Sequence, residues 1–178
     1  NIIAYGLRVK DMDVTNSVLC FCGPDGSGKS TLARYVASYL RSKGFSIYVA
    51  WLRGTHTLAS MLARFLGKFD AFRGDCNPYY GICIPRSLRM LWAWIEFVSV
   101  VPIVFARFVV LKILGKSVVA ERSLIDFLVW LVLTLRWSGV VRSLVARIVL
   151  AFNRSLCSFV IYVRADDRCC SLRGEEKF

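Results

Sequence analysis

The stretch Gly23-Pro24-Asp25-Gly26-Ser27-Gly28-Lys29-Ser30 constrains this chain more than any other. A short apolar run, Ser17–Cys22, precedes it. After it, Leu32, Val36, Tyr39 and Leu40 recur at helical spacing as far as Gly44. Strand, glycine loop and helix in that order have a geometric use. Glycines let the backbone curl so that successive N–H groups point inward, and the helix adds the positive end of its dipole. Such a cradle suits phosphate groups. With Lys29-Ser30-Thr31 directly behind the last glycine, the spacing predicts that Lys29 reaches the β- and γ-phosphates of a nucleoside triphosphate and that the Ser30 hydroxyl ligates Mg²⁺. Gly23, Asp25, Gly26, Ser27, Gly28, Lys29, Ser30 and Thr31 form the expected binding set, with ATP and Mg²⁺ as the cofactors.

The rest of the chain alternates in the same manner. Phe45–Leu52 reads as a second strand ending at Arg53, and a helix is expected from about Thr57 to Leu66. Gly67–Pro85 reads as a long loop of the kind that often binds ligands. Arg86–Leu114 reads as a long helical region kinked or broken at Pro102. Ser117–Ala120 is a third strand reaching Glu121-Arg122-Ser123. Helices follow over Leu124–Trp137 and Val140–Asn153, then a fourth strand, Ser158–Val163, and a polar helix from Asp166 to Phe178. Alternating strands and helices predict a parallel sheet with both faces covered. In such a sheet the carboxyl ends of the strands border the ligand crevice. That rule places Arg53 and the Glu121-Arg122 pair beside the phosphate loop, and weighs against reading them as salt-bridged strand ends. An arginine there can grip a phosphoryl acceptor, and a carboxylate can hold a water of the metal. Arg164, Arg168 and Arg173 follow the fourth strand. They suit either a lid that neutralises transferring phosphate or a solvated basic helix.

Composition narrows the class. A chain of 178 residues with 56% apolar residues can bury a full core without staples. The uncharged run Phe97–Ala106 is half the length a bilayer requires, so the apolar stretches read as buried helices, with an oligomer interface or a membrane-surface contact as the lesser alternative. No signal peptide is discernible at the start, and Asn1 in place of an initiator Met reads as a processed or cut end. The net charge of +12 is spread singly through the helices, so nucleic acid is not the expected partner. One histidine and seven cysteines without a Cys-x-x-Cys pair argue against zinc; Cys20 and Cys22 read as core residues, and the cysteines as reduced thiols in a cytoplasmic protein.

Taken in order, the phosphate loop, Trp51-Leu52-Arg53, Val118-Val119-Ala120-Glu121-Arg122-Ser123 and Val160-Ile161-Tyr162-Val163-Arg164-Ala165-Asp166 resemble the thymidylate kinase family of P-loop nucleoside monophosphate kinases, in its divergent archaeal form. The resemblance covers residues 17–178, with residues 1–16 as a lead-in and a lid region at about 164–178. It implies a three-layer α/β P-loop kinase fold with a parallel sheet of four strands, lacking the family's C-terminal strand and helix. It also implies transfer of the γ-phosphoryl of ATP to a nucleoside monophosphate or similar phosphorylated acceptor, and a homodimer formed through apolar helices. By the same resemblance Arg53 grips the acceptor phosphate, Glu121 serves metal and acceptor, Arg122 serves the phosphates, and Asp25 lies near the acceptor sugar. Gly26 stands where some members carry a catalytic arginine, which makes Arg168 and Arg173 the substitutes. Two departures stand out: Glu121 replaces the usual Asp, and Leu131 replaces the Gln that reads thymine. An ATP-binding regulatory or assembly module that has lost its acceptor is the alternative these departures favour.

Overall fold

The computed structural model describes residues 15–52, 58–77 and 80–165. In chain order the elements are β1 (Val18–Cys22), α1 (Lys29–Ser42), β2 (Ile47–Trp51), α2 (Leu58–Leu66), β3 (Arg73–Asn77), α3 (Arg89–Val104), α4 (Val110–Ile113), β4 (Ser117–Glu121), α5 (Leu124–Leu135), α6 (Leu144–Leu156) and β5 (Phe159–Tyr162). Arg53, Arg168, Arg173 and the expected lid helix lie outside the described residues. The described chain divides into two compact units, one formed by 15–52, 106–123 and 154–165, the other by 58–77, 80–105 and 124–153.

The first unit is α/β, the class expected, and holds a four-stranded sheet in the order β2-β4-β1-β5, every pair parallel. All five residues of β1 are buried, which is why Ser17–Cys22 reads as a continuous apolar run rather than an alternating one. Leu19 and Phe21 of β1 and Val119 of β4 pack against Ala33, Ala37 and Leu40 of α1. The buried face of α1 therefore sits one position away from the one expected. Leu32 and Val36 are only partly buried and Tyr39 is exposed, because alanines let the helix lie closer to the sheet than larger residues would. Phe21 is fully buried, worth roughly 1.5–3 kcal/mol against leaving it in water.

The second unit is built on α2, α3, α5 and β3. Ser99 of α3 caps α2: its hydroxyl accepts from the Ala59 amide at 3.0 Å and donates to the Ile95 carbonyl at 2.7 Å, satisfying one of the N–H groups a helix start leaves open. The Gly67–Pro85 segment differs from the structureless loop expected. A 3₁₀ turn, Asp70–Phe72, leads into β3, and Arg73 and Asn77 both bridge to Ile82. Nor does Pro102 break the long helix. The α-helix runs through it to Val104, and a π-helical turn, Phe105–Val109, follows before α4. By length and composition, the helical stretch Arg86–Ile113 could cross a membrane.

The cysteines depart from the all-thiol expectation. Cys76 is joined to Cys83 and Cys20 to Cys157, with Cα–Cα separations of 4.9 and 6.3 Å. Both separations lie within disulfide reach. The first pair meets because the segment after β3 turns back on itself, the second because β5 lies beside β1, and neither proximity is written in cysteine spacing. Cys22 donates weakly to the Ile161 carbonyl at 3.7 Å.

Glu96 is the buried carboxyl of α3, 7% exposed, with Trp92 Nε1 donating to its Oε1 at 3.2 Å. Burial raises its pKa from an ordinary 4.5 to about 7, against the smaller opposing pull of the Trp92 hydrogen bond. A pKa raised by folding stabilises the native state below the unfolded value and loses that contribution as pH rises through the folded one. Unfolding midpoints are therefore expected to fall between about pH 5 and pH 8, a change worth at most about 3 kcal/mol. Glu96→Gln should flatten that profile and raise the midpoint at the alkaline end. A wild-type midpoint that stays level across this range would refute the assignment.

Candidate functional site

The site grows from the way β1 ends. Past Cys22 the chain turns at Gly23, whose φ of +140° suits glycine and whose missing Cβ leaves room for the Val163 carbonyl oxygen; an added Cβ would overlap that oxygen. The Val163 amide in turn donates to the Cys22 carbonyl at 2.8 Å, so the ends of β1 and β5 are held together at the loop's root. Gly26 and Gly28 also have positive φ, +80° and +88°. Gly28 begins α1 in the left-handed conformation, and no side chain caps the helix. The helix start is thus left for another acceptor, as an anion site requires.

Five side chains converge at this loop, all from the first unit. Lys29 is 5% exposed, its ammonium donating to the Pro24 carbonyl and lying 3.7 Å from Asp25 Oδ1. Asp25 also accepts from Arg122 Nη2 at 2.6 Å, so one carboxylate bridges two cations. Ser30 Oγ donates to Glu121 Oε1. Glu121 is held there by register, standing opposite Phe21 on one side and Trp51 on the other at the ends of three parallel strands. Among the described residues, the Ser27 hydroxyl is the buried side-chain oxygen with no hydrogen-bond partner. An orphaned donor inside a glycine loop fits an absent ligand oxygen.

Arg122 has a φ of +90°, which costs a residue with a Cβ energy, while its amide donates to the Phe21 carbonyl at 2.9 Å. Strain of that kind gathers where a side chain must be aimed. Here it aims the guanidinium at Asp25. The pair is partly exposed, and such pairs contribute at most about 1 kcal/mol. A phosphate arriving at the loop can displace Asp25 from Arg122 at little cost.

The donor set also bears on the metal. A serine hydroxyl touching a carboxylate supplies hard oxygen ligands, the kind Mg²⁺ takes when phosphates and waters complete its shell. No cluster of three or more His, Cys, Asp or Glu suited to a metal occurs among the described residues. Ser30 and Glu121 would hold the ion.

No family model and no curated protein matches the chain. Among solved structures it is similar to thymidylate kinase from Ehrlichia chaffeensis. Identity is 17% and the TM-score 0.44, over 90% of this chain and 79% of that one.

Of the residues expected at the site, the structure brings Asp25, Lys29, Ser30, Glu121 and Arg122 together around the loop. Leu131 belongs to the second unit, where it is fully buried and serves packing. Tyr80, in the Gly67–Pro85 segment, is also in the second unit, its ring 5.9 Å from the Arg64 guanidinium. Sequence reading missed Arg107, whose Nη1 donates to the Trp51 carbonyl at the end of β2. Fifty-six residues separate the two, and no local pattern marks the contact.

Proposed function

We propose that this chain is an ATP- and Mg²⁺-dependent phosphotransferase that moves the γ-phosphoryl of ATP to a nucleoside monophosphate or another small phosphorylated acceptor. The observation that carries the reading is the contact of Ser30 with Glu121 across the mouth of the phosphate loop, with Arg122 beside it. A loop that only bound nucleotide needs Lys29 and the backbone amides. A hydroxyl and a carboxylate paired at the metal position, with an arginine aimed alongside, suit transfer.

The residues divide the work. Lys29 and the loop amides hold the β- and γ-phosphates, and Arg122 binds phosphate once Asp25 gives way. When bound between Ser30 and Glu121, Mg²⁺ would offset charge on the β- and γ-oxygens. An acceptor phosphate oxygen forms the new bond to the γ-phosphorus as its bond to the bridging oxygen of ADP breaks. No covalent enzyme intermediate is required, since positioning and electrostatics suffice.

A panel of nucleoside and other small monophosphates, read as ADP release, tests this. At least one acceptor should stimulate turnover well above the acceptor-free rate. In Arg122→Gly, stimulation should fall on the order of 10²–10³-fold. The same change should raise the unfolding free energy by about 1 kcal/mol, because glycine tolerates the positive φ at this position. Loss of stimulation together with gained stability separates a binding role from a structural one. Tight ATP binding with no stimulation by any acceptor would favour a regulatory or assembly module instead. The burial of Leu131, which leaves that position unable to read a base edge, is the observation on that side.

A further inference from the structure

Helix α3 is built inside out. Its one charged residue past the first turn, Glu96, points into the second unit together with Trp92, Ser99 and Val100, while its outer face carries no charge at all. At 100° per residue, Leu91, Trp94, Val98, Val101, Pro102 and Phe105 fall within an arc of about 120°, four turns long. Leu91 is 58%, Val98 56% and Phe105 55% exposed. A helix face meant for water carries charged or polar residues along such an arc, and a contiguous apolar strip marks a surface that something else covers.

Charge decides among the possible covers. The chain carries a net +12. Within the same unit Arg86 is exposed one turn before α3, and Arg142 and Arg147 are exposed on the approach to α6 and on α6 itself. That helix meets α3 through Phe97 and Phe152, ring centroids 6.4 Å apart. A two-fold contact between copies would set two units that are each net positive against one another. An anionic lipid surface instead takes the strip into its acyl boundary and neutralises the arginines in its headgroups. A transmembrane course would pull Glu96 and Trp92 out of their packing, whereas a helix lying in the interface keeps them.

We propose that the outer face of α3 is a docking surface for an anionic lipid bilayer, seating the second unit at the interface with α3 parallel to the membrane. The proposal does not rest on the phosphotransfer reading, since it concerns binding and not turnover.

Co-sedimentation of the full chain with vesicles tests it. Partitioning onto phosphatidylglycerol vesicles should be roughly tenfold or more above that onto phosphatidylcholine vesicles and should weaken with salt. Val98→Asp and Val101→Asp should each lower binding about tenfold or more while leaving the unfolding midpoint within a few degrees of wild type, as expected at exposed positions. Tyr35→Asp, exposed on α1 in the first unit, should leave binding unchanged. Equal binding to both lipids, or binding indifferent to Val98→Asp, overturns the proposal. So does a lipid-free dimer that Val98→Asp dissociates, since a second copy then covers the strip. A large fall in the Val98→Asp midpoint also overturns it, because the strip would then be covered by the chain itself.

Discussion

Lys29→Met is expected to abolish ATP-dependent phosphoryl transfer to within the noise of a coupled assay, a loss on the order of 10³-fold or more in kcat/KM. Removing one preorganised charge at developing negative charge costs about 10²–10³-fold. Lys29 also holds the loop in the shape that presents its amides, through its bond to the Pro24 carbonyl. Binding of a fluorescent ATP analogue should weaken in parallel. Stability should move much less, because methionine fills most of the space of the buried stem and takes no charge out of water. The readout that matters is the contrast: a near-complete loss of turnover with a thermal midpoint shifted by only a few degrees. Lys29→Met with wild-type turnover would exclude the loop as the donor site.

Gly23→Ala is expected to reverse that pattern. Its Cβ would overlap the Val163 carbonyl oxygen, a backbone atom that cannot swing aside as a long side chain could, and φ at this position also disfavours a Cβ. Overpacking against backbone costs about 1–3 kcal/mol and the conformation a further 1–2. The expected loss of unfolding free energy is therefore about 2–5 kcal/mol, a large share of the roughly 5–15 kcal/mol that holds an ordinary domain folded. Urea titration followed by circular dichroism measures it. Gly28→Ala is the informative neighbour, since open space surrounds that position and only the strained φ remains. It should cost roughly 1–2 kcal/mol. Equal losses at the two glycines would show that the contact with Val163 contributes nothing.

The two substitutions also mark how far this molecule could be read from its residues. The loop's chemistry was legible because it is local: glycines, lysine and serine lie within eight positions, and the apolar run before them forms the buried strand it resembles. The convergence of Glu121 and Arg122 on that loop was legible at one remove, since ends of neighbouring parallel strands must lie together. What the pattern did not contain was pairwise geometry across long separations. Nothing in the spacing marks Asp25 as the shared partner of Lys29 and Arg122, or sets Arg107 against the end of β2. Periodicity also fails where residue size matters, as on α1, where alanines are fully buried against the sheet while the larger Val36 is only partly buried and Tyr39 is exposed. It fails again on α3, where a uniformly apolar helix gives no hint of which face turns outward, and there the carboxyl went inside.

The strand order has a consequence for synthesis. β1 lies between β4 and β5, so the strand that carries the phosphate loop is flanked by segments about a hundred and a hundred and forty residues further along. Pairings of such high contact order form late and slowly, because distant stretches of chain must be brought together before any contact rewards the search. A ribosome will have released nearly all of the described chain before β1 has both its neighbours. Until then the apolar β1, complete in sequence but lacking at least one neighbour, is open to association with other chains. Nucleotide capture is therefore a report on the finished sheet. Added ATP should favour the native state over its half-built precursors, with a gain that grows with the logarithm of its concentration.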